Sequence, residues 1–310
     1  MGLKDQTMTS AEEGCDQQHG LDHMSKINIE DPRSQALKAM AASLPTNTWN
    51  ENAEFVNSLI EKIKSHSLGK NKIRQALSDG KFGHEQVEKI HLEYRHAIVQ
   101  IFTDALLMAQ FQTRQLEPRL APGDKMAPRG LITLNILDEF GYTPGVSEVG
   151  YYKGHHEYSH YVLYEKLLNE LGISAQDRNE HESSAISKQV RDFLENTFND
   201  YASIVALLAV AEEQVILFSP PLRKSVAHLN QDVSQGYYRV HGTTTDGDTD
   251  GADDDHENDL WAALTQAITK ENYESITSLC LGYCDLWDEF WNHQLITHSK
   301  QAELSEEAIA

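Results

Sequence analysis

Tyr237-Tyr238-Arg239-Val240-His241, followed across a Gly/Thr/Asp segment by Asp253-Asp254-Asp255-His256, decides how the rest of the chain is read. Asp253 and His256 stand three apart, so on a helix they share one face. His241 lies upstream across a segment able to fold back toward them. Imidazole and carboxylate converging on one point is how proteins hold iron or manganese. Alone, these residues read better as an acidic loop with two solvated histidines. The remainder of the chain tips the balance.

That remainder is helical in pattern. Asn50–Ser65 places Phe55, Leu59 and Ile63 on one stripe, and Ser34–Ala42 is a shorter candidate. Gly83–Gln115 reads as one long helix with Val87, Ile90, Tyr94, Ile98 and Ile101 on a face. Pro118, Pro122 and Pro128 then interrupt it before Leu131–Phe140. His160–Leu171 follows, stopped by Gly172 as a C-cap. Ser184–Thr197 comes next, then Tyr201–Phe218, broken at Pro220-Pro221. Leu222–Tyr238, Asp254–Lys270 and Tyr273–Ile296 complete the series. No run alternates at period two, so no sheet is expected. The spacing predicts an all-α bundle of about seven to nine helices. Residues 1–30 read as a disordered extension, 31–298 as the domain with an acidic insertion at 242–252, and 299–310 as a charged tail.

Composition narrows the partners. The chain of 310 residues carries 48 acidic against 26 basic residues, a formal charge of −22, which repels phosphate backbones and argues against nucleic acid. The chain shows no secretory h-region and no unbroken apolar run of bilayer-spanning length, so a cytoplasmic, membrane-free protein is expected. Cys280 and Cys284, one helical turn apart among leucines, read as core thiols, with Cys15 in the N-terminal extension.

Several ionisable residues sit where apolar ones are expected. Glu93 shares a stripe with Ile90, Ala97 and Gln100. Glu139, with Asp138 beside it, ends an apolar helix, where acidic groups oppose the macrodipole. His155, His156 and His160 crowd one short stretch, and Glu212 and Glu213 interrupt the most hydrophobic helix. Inner-facing carboxylates and histidines on several helices are what a dinuclear carboxylate site in a bundle requires.

From about Phe82 to Trp291 the order of these patterns resembles the haem-oxygenase-like diiron oxidases, relatives of thiaminase-II and PqqC-type proteins. Glu93-Tyr94 resembles the family's Glu-aromatic step. Asn135-Ile136-Leu137-Asp138-Glu139-Phe140-Gly141 resembles its Asn-x-x-x-Glu-x-Gly helix end. His160, twelve residues before Gly172, resembles the His that opens the next helix. Glu212 or Glu213 occupies the helix where some members add a carboxylate. The closing Tyr-Phe-x-x-His is matched by Tyr237 to His241, and its Asp-x-x-His by Asp253 to His256, with the insertion between; Asp246 is the alternative to Asp253.

The resemblance implies two Fe(II) ions held by Glu93, Glu139, His160, His241, Asp253 and His256. It further implies O2 as co-substrate and oxidation of a small molecule, an amino acid or amine being favoured, and it leaves a homodimer open. Tyr94, Tyr161, Tyr237 and Tyr238 are candidates for the pocket wall. Within the insertion, Asp246, Asp248, Asp250, Asp254 and Glu257 match the spacing of an EF-hand calcium loop. Two rivals follow: a metal-independent enzyme of the same fold, and a non-catalytic, calcium-responsive interaction protein.

Overall fold

The computed structural model describes residues 31–144, 152–241 and 252–309. Helices α1 (Pro32–Ala42), α2 (Thr46–Lys64) and α3 (Ile73–Ser78) lead into α4 (His84–Tyr94). A π-helical turn, Arg95–Val99, joins α4 to α5 (Phe102–Gln112), with Gln100 N–H bonding back to Arg95 O at 3.1 Å. Then come α6 (Met126–Glu139), strands β1 (Tyr142–Pro144) and β2 (Tyr152–Gly154), and α7 (His160–Glu170). The short α8 (Ala175–Glu180) and α9 (Ala185–Glu195) precede the long α10 (Tyr201–His228). The chain closes with α11 (Tyr237–Val240), α12 (Ala252–Ala267) and α13 (Tyr273–Ile309).

The all-α expectation holds, with one small addition. β1 and β2 form a two-stranded antiparallel ribbon, Thr143 opposite Lys153. Each strand is three residues long, too short to show any alternation in sequence.

Helix α10 is the core. It is apolar on every side, as a helix wrapped by others must be, and α12, α3, α13 and α5 pack around it. It is long and apolar enough to cross a bilayer, yet 78 % of that apolar window is buried by its neighbours. The expected break at Pro220-Pro221 does not occur, and the helix runs through both prolines. Pro221 has no N–H to offer the carbonyl of Leu217, one turn back. Arg74 Nε on α3 donates to that carbonyl instead, at 3.2 Å. Pro128 is likewise accommodated inside α6, in the first turn, where a backbone N–H has no intrahelical partner to lose. The expected tail is helical to Ile309, in keeping with its Gln/Ala/Glu/Leu-rich composition and lack of any breaker.

Two features fix α6 against its neighbours. Gly141 adopts φ +78° after α6, and a Cβ there would lie 2.5 Å from the Tyr158 carbonyl carbon and 2.8 Å from the Ser159 nitrogen. Only glycine allows that approach, which sets the end of α6 against the start of α7. Arg33 on α1 then ties α6 to α12, donating to Asp259 Oδ2 at 2.8 Å and to Asn135 Oδ1 at 3.4 Å.

Candidate metal centre

Glu139 ends α6, His160 begins α7, Glu212 lies inside α10, His241 follows α11, and His256 lies one turn into α12. All five are buried. Their ligand atoms fall into two groups, Glu139/His160/His241 and Glu139/Glu212/His256, with every donor atom in a group within 4.8 Å of the others. Glu139 belongs to both.

His160 Nδ1 lies 2.9 Å from Glu139 Oε1, while His256 Nδ1 lies 3.4 Å from Glu212 Oε1 and 3.9 Å from Glu139 Oε1. Despite this proximity, Glu139 Oε1, His160 Nδ1 and both ring nitrogens of His256 lack an aligned hydrogen bond. Buried polar atoms are ordinarily paired. Atoms that approach one another without sharing a proton are arranged as ligands are around an ion: two donors about 2.1 Å from one ion at a right angle lie about 3 Å apart. The donor set, imidazole and carboxylate with no thiolate, suits iron or manganese.

Electrostatics agree. Burial pushes the Glu139 carboxyl up, but the charges of His160, His241 and His256 outweigh it and hold the group below the ordinary carboxylate value. Burial pushes His256 down, yet the adjoining carboxylates of Asp138, Glu212 and Glu139 drive it well above the usual imidazole value. His160 is raised in the same way, burial being outweighed by Glu139 and Asp138.

Asp138, which the sequence flagged only as a neighbour, belongs here too. Its Oδ2 lies 3.3 Å from His256 Nε2 and 4.0 Å from His160 Nε2. Consecutive carboxylates thus bracket the imidazoles, Glu139 on their Nδ1 side and Asp138 on their Nε2 side. A carboxylate on the outer nitrogen fixes which ring nitrogen keeps its lone pair for a metal. The signal available in the sequence was the acidic pair itself at a helix C-terminus.

Glu93 requires a correction. It is buried, but toward α9: Oε1 faces His181 Nε2 at 3.0 Å, the Ser184 N–H donates at 3.0 and 3.1 Å, and the Ser184 hydroxyl donates at 2.6 Å. Burial raises its pKa, and these partners outweigh that to lower it. Its lone pairs are used within the protein, and Glu212 stands in the cluster in its place. Glu213, the other member of that pair, is buried on the side of Cys284, whose thiol feels its charge.

Asp253 sits on the backbone of α12 one turn before His256; its side chain lies outside the described residues. So do Asp246, Asp248 and Asp250, and the Asp254 side chain. The calcium-loop reading meets one obstacle. Glu257, the expected closing ligand, is turned into the bundle and accepts the Trp261 indole N–H at 2.9 Å. His155 and His156 are exposed beside Glu157 and stand apart from the buried cluster.

Tyr94, Tyr161 and Tyr237 line a cavity against Glu139, His160, Glu212 and His241, closed by Ile98, Val99, Phe102 and Val215. Tyr238 does not; its hydroxyl pairs with His91 Nε2 at 2.6 Å. Cys280 and Cys284 are core thiols as expected, and burial pushes the Cys284 thiol up to about 12, a poor nucleophile.

Solved structures share this architecture. A TenA homologue from Pseudomonas syringae pv. tomato superposes with TM-score 0.55 at 12 % identity, over 80 % of this chain and 92 % of its own. A CADD-like protein of unknown function from Nostoc punctiforme superposes with TM-score 0.54 at 16 % identity, over 83 % of this chain and 97 % of its own. The fold is the haem-oxygenase-like helical bundle. No protein-family model matches the sequence, and no curated protein matches it significantly. In this haem-oxygenase-like bundle the buried donors come from α6, α7, α10, α12 and the end of α11, converging on one point between the helices.

Proposed function

We propose that the protein is an O2-dependent non-haem diiron oxidase acting on a small molecule. The observation that carries the reading is the pair of buried donor triads sharing Glu139, with donor atoms close together and Glu139 Oε1, His160 Nδ1 and both ring nitrogens of His256 lacking aligned hydrogen bonds. Glu139, His160 and His241 would hold one ion, and Glu139, Glu212 and His256 the other. Asp253, three residues before His256 in sequence, would be a further donor by the helix period. Two Fe(II) ions would supply electrons for reducing O2.

The chain's own residues do the rest. Asp138 Oδ2, 3.3 Å from the outer nitrogen of His256, favours a proton on that nitrogen and so leaves the Nδ1 lone pair directed inward. Tyr94 is held by the Gln214 side chain, to which its hydroxyl donates at 3.3 Å. The aliphatic and aromatic wall of the cavity limits water beside the cluster. The high thiol pKa of Cys284 counts against the metal-independent, thiol-dependent alternative.

Anaerobic loading with Fe(II), desalting and elemental analysis test the proposal. About two iron atoms per chain are expected, and retention below about one half would sink it.

A further inference from the structure

Two cavities meet at the cluster, and the same segments line both. Glu139, Tyr161 and Tyr237 face the inner one, already described, whereas Asp138, Leu163 and Arg239 face an outer one. His160 lines both and forms the wall between them. The two spaces differ in scale and chemistry. The inner cavity offers about 30 Å³ of free space, room for about two water-sized molecules. The outer one offers about 500 Å³, within the roughly 300–1,000 Å³ range of small-molecule sites.

Arg239 supplies the outer cavity's positive charge. Its guanidinium donates to the neutral Gln235 Oε1 at 3.2 Å, and among the described residues no carboxylate pairs with it. Asp138 provides negative charge at the wall beside His160.

We propose that the outer cavity is the substrate-recognition site and that it takes a small organic acid, its carboxylate on Arg239 and its reacting end extending past His160. The chemistry of the substrate's reaction rests on the diiron reading; the binding does not. The inner space accommodates O2 but not a whole organic substrate, so the body of the substrate belongs outside. A guanidinium offers a planar fork of donors that matches a carboxylate. Asp138 repels an acid group from the cluster end, so the two charges orient the ligand with its head outward. On a chain of net charge −22, recognition of an anion has to come from such a local cation.

Saturation-transfer NMR on the metal-free, full-length protein tests this with three probes of matched length: hexanoate, hexanamide and hexylamine. A charge-assisted contact predicts that hexanoate binds about tenfold or more tightly than the other two. Arg239→Gln should erase that preference, and Arg239→Lys should retain part of it. Absence of hexanoate binding, equal binding of the three probes, or a preference that survives Arg239→Gln would overturn the proposal. No metal is present in the assay, so its outcome and the iron count stand or fall separately.

Discussion

Glu93 and Glu139 are both buried carboxylates, and in the sequence they look alike: each stands beside apolar residues of a helix, Glu93 within it and Glu139 at its end. Folding treats them differently. Glu93 accepts from the backbone and hydroxyl of Ser184 and lies against His181, so it fastens α4 to the start of α9. Glu139 reaches two triads yet leaves Oε1 without an aligned bond among the imidazoles. A buried acid whose partners are supplied by the fold is structural. One whose lone pairs stay available among other donors is arranged for something the chain does not itself contain.

The largest expected effect follows from that contrast. Glu139→Ala should disable both triads and bring bound iron from about two per chain to well below one, whereas Glu93→Ala should leave the iron count intact. Glu93→Ala should instead cost about 1–2 kcal/mol of folding stability, because the part-buried His181 and Ser184 lose their carboxylate partner. Elemental analysis together with chemical denaturation of both variants checks the pair. Iron loss in Glu93→Ala would break the comparison.

The pH response comes next. His160 and His256 have raised folded-state pKa values, so the stability they contribute to the metal-free protein is complete below the unfolded value of about 6.5 and is lost as pH rises through the folded values. Asp138 and Glu139 are lowered, so their contribution is present above the unfolded carboxylate values and is lost as pH falls through the folded ones. Metal-free protein should therefore be less stable at pH 8 than at about pH 6, while metal affinity rises over the same interval as the imidazoles give up protons. Denaturation midpoints and metal titrations at matched pH measure both trends. Flat stability over that range would count against the paired imidazoles.

A smaller effect sharpens the role of Asp138. Replacing it with Ala should weaken metal binding by about 10–100-fold, the usual consequence of removing a carboxylate behind a metal-bound histidine. Calorimetric titration reads it, and an unchanged affinity would mean that Asp138 does not orient His256.

Much of this was legible in sequence because helices announce themselves by period and the strongest ligand candidates stand at helix ends. His160 beside Gly172's helix, Glu139 before Gly141, and His256 were placed by local pattern, and they meet in space. What the pattern did not carry was direction. The period gives a stripe, but it does not tell which neighbour the stripe faces; Glu93 faces α9, and of the adjacent Glu212 and Glu213 only the first joins the cluster. The uninterrupted α10 was missed for another reason. The Arg74 donor that satisfies the Leu217 carbonyl comes from a distant helix, and proline chemistry alone predicts a stop.

The π turn at Arg95–Val99 carries a consequence for register. An α-helix rotates each residue by about 100°, so accommodating one extra residue turns everything downstream by about that angle relative to everything before. Glu93, ahead of the turn, looks toward α9, while Tyr94 beside it, Ile98 and Val99 in the turn, and Phe102 and Thr103 beyond it line the cavity beside the cluster. A continuous rod thus presents two differently aimed surfaces without a loop or a hinge. Such a wide turn is what an α-helix becomes when it absorbs a single-residue insertion in place. The same helical path thereby braces the scaffold through Glu93 and lines the cavity along Tyr94, Ile98 and Phe102.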